Sequence, residues 1–85
     1  MTVLVVDAPE LLDEALERAG DDGDVIVIDE SPARLDRLER DARDPRVWFL
    51  LGSREVLPLP DRSVDAVLAP GATEADGPEL RRVLR

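Results

Sequence analysis

Two carboxylates are the residues best placed to do chemistry in this chain. Asp7 and Asp29 each close a short apolar run, Val3-Leu4-Val5-Val6 and Val25-Ile26-Val27-Ile28, and Glu10 and Glu30 follow close behind. Acids at the ends of neighbouring strands can hold a divalent cation or the hydroxyls of a ribose. The plainer reading is that they cap the helices that follow and face water, and that is the expectation adopted. Other chemistry is excluded by composition. The chain has no Cys and no His, which removes disulfides, thiolate chemistry, the usual zinc sites and His-based triads. All 11 basic residues are Arg, so Ser31 and Ser63 have neither His nor Lys to activate them. Arg81, Arg82 and Arg85 cluster where a last helix should end, which suits its dipole better than it argues for an anion site.

The elements that must position these acids follow from periodicity. Residues 1–7 and 24–30, built on the apolar runs 3–6 and 25–28, read as strands buried on both faces. Between them, Pro9 opens a helix whose Leu11, Leu12, Ala15, Leu16 and Ala19 form one stripe, and Gly20 is placed to end it. Ser31-Pro32 reads as an N-cap and first-turn proline, ahead of a helix with Ala33, Leu35, Leu38 and Ala42 inward. Asp36/Arg40 and Glu39/Arg43 have the spacing of helical ion pairs, and Asp44-Pro45 stops the helix. Residues 47–51 are a third strand, 53–63 a Pro-rich loop, 64–68 a fourth strand and 78–85 a short last helix. Strands alternating with helices imply an α/β fold with a mainly parallel four-stranded sheet. The strand order expected for half of a doubly wound, Rossmann-like arrangement is 3-2-1-4.

Eighty-five residues, 44% of them apolar, make one small domain with a core. Twenty acids give a net charge of -9, a poor surface for gripping nucleic-acid phosphates. The acidity, with no Lys and few aromatics, suits a proteome living in high salt, although a GC-rich genome would favour the same residues. No run approaches the ~18 apolar residues of a membrane span, and no signal peptide is visible, so the expectation is a cytoplasmic protein.

Two segments resemble the class I S-adenosylmethionine-dependent methyltransferases. Val25-Ile26-Val27-Ile28-Asp29-Glu30-Ser31-Pro32 is similar to the family's second strand and acidic loop. Val47-Trp48-Phe49-Leu50-Leu51-Gly52, followed by Leu57-Pro58-Leu59-Pro60-Asp61-Arg62-Ser63-Val64-Asp65-Ala66-Val67, resembles its third strand and the segment that leads into strand four. The resemblance implies that Asp29 would hydrogen-bond the cofactor ribose, and that Asp7, Glu30, Gly52 and Ser53 would line the same site. Ser53 stands where the family carries an acid that reads the adenine.

The chain also departs from the family. The family's first loop is rich in glycine, whereas this one is Asp7-Ala8-Pro9-Glu10. The sequence stops where a fifth strand is expected. These departures lead to the expectation of a non-catalytic domain with S-adenosylmethionine no longer bound; the alternative is a methyltransferase fragment or subunit that uses Asp29. A receiver-like signalling domain on Asp7 and Asp29 is a third reading, weakened by the missing Lys. Both long helices should lie on one face of the sheet, leaving the other thinly covered. That exposed face predicts a homodimer, or a larger protein partner, through Trp48 or Phe49 together with Leu57, Leu59, Val64 and Leu84.

Overall fold

The computed structural model describes all 85 residues, Met1–Arg85. Strand β1 spans Thr2–Val6, β2 Asp24–Asp29, β3 Val47–Leu51 and β4 Ala66–Leu68. Helix α1 runs Leu12–Ala19 after a single 3-10 turn at Pro9–Leu11, and α2 spans Pro32–Ala42. Helix α3 runs Gly77–Val83 after a turn at Glu74–Asp76. The four strands are parallel in the order β3-β2-β1-β4, the order expected from the sequence.

Local signals explain most boundaries. Ser31 caps α2 by accepting the Arg34 N–H, with Pro32 in the first turn. Gly20 ends α1 with a positive φ of 81° that a side chain would resist. The Asp36–Arg40 ion pair forms at 2.7 Å. The Glu39–Arg43 pair does not: Arg43 turns left-handed at the end of α2 and its Nε donates to the Arg40 carbonyl. Ala33 is exposed, so the buried stripe of α2 is narrower than its sequence suggested.

The sheet carries a core on each face, because alternate residues of every strand point opposite ways. On one face Val3, Val5, Val25 and Val27 pack with Ala8, Ala15 and Ala19, with Leu11, Leu12, Leu16, Leu38 and Phe49 around them. On the other, Leu4, Val6 and Ile28 pack with Leu57, Val64 and Val83, with Leu59, Leu80 and Leu84 half-buried beside them. Both long helices therefore sit on the first face, and the loop 53–63 with α3 covers the second.

That second cover corrects the expected interface. Leu57 and Val64 are 3% and 0% exposed, so they are core and offer no surface to a partner. Pro58 and Pro60 set the path of the loop, while Leu57, just before them, turns inward. Phe49 faces the helices, and of the adjacent aromatic pair only Trp48, at 60% exposure, meets solvent. Val64 also lies outside β4. It bridges Leu84 in parallel, with the Val64 N–H donating to the Val83 carbonyl and the Arg85 N–H donating to that of Val64. The chain beyond α3 thus leaves the helix at Val83, earlier than expected, to run beside the start of the fourth strand. No helix is long and apolar enough to cross a membrane.

Candidate functional site at the carboxyl edge of the sheet

The parallel register brings the ends of β1 and β2 together. Asp7 directly follows β1, and its N–H donates to the Ile28 carbonyl, so it lies beside Asp29, as expected. The expectation that both acids face water is corrected for Asp29, which is 1% exposed. Its Oδ1 accepts the Ser31 N–H at 2.9 Å, and Arg34 Nη1 lies 3.3 Å from Oδ1 and 3.0 Å from Oδ2. Burying a carboxylate is tolerable only when it is paired and hydrogen-bonded, and both conditions are met within five residues of chain. Side chains of a helix lean toward its N-terminus, so Arg34, in the first turn of α2, reaches back to the strand end.

Asp7 is strained in two ways. Its backbone has φ 53°, a left-handed conformation that glycine adopts freely and Asp tolerates. Its carboxyl is pushed above the usual carboxylate range by burial first, then by Glu30 and Asp29, while Arg54 and Arg34 pull it back.

Arg54 is the residue that organises the rest of this edge. Its Nε lies 3.8 Å from carboxylate oxygens of both Asp7 and Asp76, and its Nη1 donates to the Gly71 carbonyl at 2.7 Å. One guanidinium so ties together the loops after β1, β3 and β4. Asp76 is 5% exposed and also accepts from the Thr73 N–H and Oγ1.

The other residues expected to line a cofactor site serve local structure. The Gly52 N–H donates to the Asp29 carbonyl, and a Cβ there would stand 2.8 Å from Pro58 Cδ, so this glycine admits the returning loop. Ser53 Oγ accepts the Glu55 N–H. Glu30 is exposed, and so is Glu10 within the Pro9–Leu11 turn. No three carboxylates are arranged to hold a metal ion. Arg34, Arg54 and Asp76 were absent from the sequence expectations. Arg34 carried a readable signal, one helical turn into the segment that Asp29 opens. Asp76 carried one as well, the Thr73-x-x-Asp76 spacing of a capping box, whereas Arg54 carried none, because its partners lie in distant loops.

S-adenosylmethionine tests this arrangement residue by residue. Its ribose diol would find an acceptor in Asp29, though an acceptor already engaged by Arg34. At its amino-acid end, the carboxyls of Asp7 and Glu10 would suit the ammonium and the sulfonium, while Pro9, which has no N–H to give, would leave the carboxylate short of a donor. The set fits the ribose and the cationic groups of the cofactor and lacks a donor for its carboxylate, and no methyl-transfer step is assigned to these residues.

Comparison with known proteins agrees with the fold. A model of the methyltransferase domain family matches residues 10–85. Uncharacterized methyltransferases of Mycobacterium bovis and Mycobacterium tuberculosis are 43% identical over 67 residues, covering 73% of this chain and 27% of each relative. The chain thus spans about a quarter of the length of those relatives. Among solved structures, an S-adenosylmethionine-dependent methyltransferase from Aquifex aeolicus superposes with a TM-score of 0.82 at 24% identity, over 100% of this chain and 51% of that one. A chain of the complex between the Haloferax volcanii Trm112 methyltransferase activator and the putative methyltransferase gives 0.78 at 22%, over 99% and 40%. The parallel sheet in the order β3-β2-β1-β4, the acid closing β2 and a family match over most of the length lead to one conclusion: the chain belongs to the methyltransferase domain family.

Proposed function

We propose that this methyltransferase-like domain acts through protein association, as a homodimer or with a larger partner, and does not itself transfer methyl groups. The observation that carries the proposal is one row of side chains across the second face of the sheet. Leu4, Ile26 and Trp48 stand side by side in register. Leu4 is buried, Ile26 half-buried and Trp48 60% exposed. The cover thins from β1 outward and fails at β3, the edge strand. Leu51, on the same strand but the opposite face, is 57% exposed, so β3 is an open edge on both sides. Apolar side chains on an open sheet edge are the usual seat of association. That the solved Haloferax volcanii relative is held in a complex with an activator supports this reading. The absence of a membrane-spanning helix suits a cytoplasmic assembly.

Sedimentation of the 85-residue chain in molar salt tests it, since screening there removes most of the repulsion between acidic copies. The expected result is a species of twice 9.4 kDa that Trp48→Glu converts to monomer. Monomer at every concentration would overturn self-association.

A second reading is favoured by Asp29 itself, a buried acid at the end of β2 in a chain of this family. In it, the domain is a methyltransferase fragment or subunit that binds S-adenosylmethionine through Asp29. Calorimetry with S-adenosylmethionine and S-adenosylhomocysteine in molar salt separates the two. Micromolar affinity that is lost in Asp29→Ala, and gained further in Arg34→Ala, would establish the second reading over the first.

A further inference from the structure

The uncovered end of the second face is more than an apolar patch. Thr2, Asp24, Ile26, Trp48, Leu50 and Ser63 line a cavity of about 330 Å³ at the amino ends of the strands, on the opposite edge from Asp7 and Asp29. Its floor is aliphatic, from Ile26 and Leu50. Its wall is the exposed indole of Trp48. At its rim stands the Asp24 carboxylate, exposed and paired with no cation: none of the eight ion pairs and none of the side-chain hydrogen bonds involves it. Asp21 and Asp22 precede it in the same turn and are also exposed. The cations nearest this corner are already engaged, the Met1 ammonium by the Ala19 carbonyl and Arg46 by Asp44 and the Gly20 carbonyl, so the Asp24 carboxylate is left without an ion pair beside an aromatic face.

From this combination we infer that the cavity takes an arginine side chain presented by a basic segment of a partner protein. The inference rests on the association reading above and names the partner's chemistry. A guanidinium stacks on an indole and is drawn to a neighbouring carboxylate, while its three-carbon stem lies on apolar surface. Below molar salt, where charges are not fully screened, charge decides between partners. A second copy brings another -9 to the contact, whereas a basic segment is attracted to it.

Trp48 is the only Trp and the chain has no Tyr, so its fluorescence reports on this cavity alone. The 85-residue chain is titrated with the peptide acetyl-Leu-Arg-Leu-amide and with acetyl-Leu-Gln-Leu-amide. The expected result is a saturable change in Trp48 emission with the Arg peptide and binding about three- to tenfold weaker for the Gln peptide, as an exposed cation–π contact and a rim carboxylate warrant. Asp24→Asn should bring the Arg peptide part of the way down toward the Gln peptide, the stacking on Trp48 being kept, and leave the urea midpoint unchanged. Amide shifts in an NMR titration should gather at Thr2, Ile26, Leu50 and Ser63. Equal binding of the two peptides, no saturation, or shifts gathered at Asp7 and Asp29 would overturn the inference. Its failure is distinct from failure of the association reading. Self-association that neither Asp24→Asn nor the peptide disturbs sinks the arginine alone. A strictly monomeric chain that still binds the Arg peptide sinks the homodimer alone.

Discussion

The two faces of the sheet are covered by different means. On the first, two helices lay regular stripes against Val3, Val5, Val25 and Val27, and the contact is almost wholly apolar. On the second, a proline-bound loop and a seven-residue helix do the covering, and one arginine holds them together. Arg82 donates to the carbonyls of Leu57 and Leu59 at 2.9 and 2.7 Å and pairs with Glu79 and Asp61, each at 2.8 Å. Glu79 in turn accepts the Leu57 N–H. A helix can bury itself by periodicity. A loop has no periodicity, so its backbone groups need named partners before its leucine can be buried.

The largest effect expected follows from Leu57. If the loop is true core, Leu57→Ala should cost about 3 kcal/mol in urea unfolding, the usual loss for a buried leucine. Phe49→Ala, half-buried under the helices of the other face, should cost about 2 kcal/mol. A Leu57→Ala loss below 1 kcal/mol would break the comparison, because the second cover would then be a loosely held flap.

The faces should also differ in their response to acid. The Arg82 guanidinium, and then the Leu57 N–H, hold the Glu79 carboxyl down at about 2, against an ordinary 4.5. A depressed folded-state value means that stability from this contact is present above about pH 4.5 and is lost as pH falls from there through about 2. The second face should therefore loosen first in acid. Hydrogen exchange of the Leu57 and Leu59 amides and of α3 should rise between pH 4.5 and 2 before that of α1 and α2. Glu79→Gln should remove the difference between the faces at its source. Simultaneous loosening of all three helices in the wild-type chain would count against a separately held cover.

These differences explain how much of the molecule was legible beforehand. The helix face was readable because Ala15 and Ala19 in one helix, and Leu35 and Leu38 in the next, recur at helical spacing, and Ser31-Pro32 is a local cap. Strand order followed from the alternation of elements. The second face was misread at Leu57 and Val64, whose burial depends on long-range partners: Arg82 for the one, and the Val83–Arg85 return for the other. At the carboxyl edge, Asp7 and Asp29 were legible as strand-ending acids. Arg54, which joins three loops separated by dozens of residues, left no mark in any local pattern.

A smaller effect is expected where the first helix face meets that edge. The Asp7 carboxyl is raised mainly by burial, then by Glu30 and Asp29, so its ionised form is disfavoured on folding and weighs against stability once pH rises through its folded value. Asn keeps the side-chain shape, tolerates φ 53° and carries no charge. Asp7→Asn should raise Tm at neutral pH by roughly 1–3 °C, the shift that a few tenths of a kcal/mol give in a domain this small, the carboxyl being partly screened by water. The gain should vanish in acid, where Asp7 is itself neutral. A lower Tm would mean that the contact with Arg54 outweighs the burial.

The smallest effect on stability is expected at Trp48, and it sharpens the comparison most. Trp48 and Phe49 are neighbours in β3, yet they point to opposite faces, one into solvent and one under the helices. Since Trp48 is 60% exposed, Trp48→Ser should change the free energy of urea unfolding by less than about 0.5 kcal/mol, read by circular dichroism because the substitution removes the fluorophore. The same substitution should abolish concentration-dependent sedimentation. A residue that is indifferent to the fold but decisive for association is explained only by a partner. If Trp48→Ser instead destabilises the monomer as Phe49→Ala does, the indole is core that the loop reaches in solution, and the second face is closed like the first.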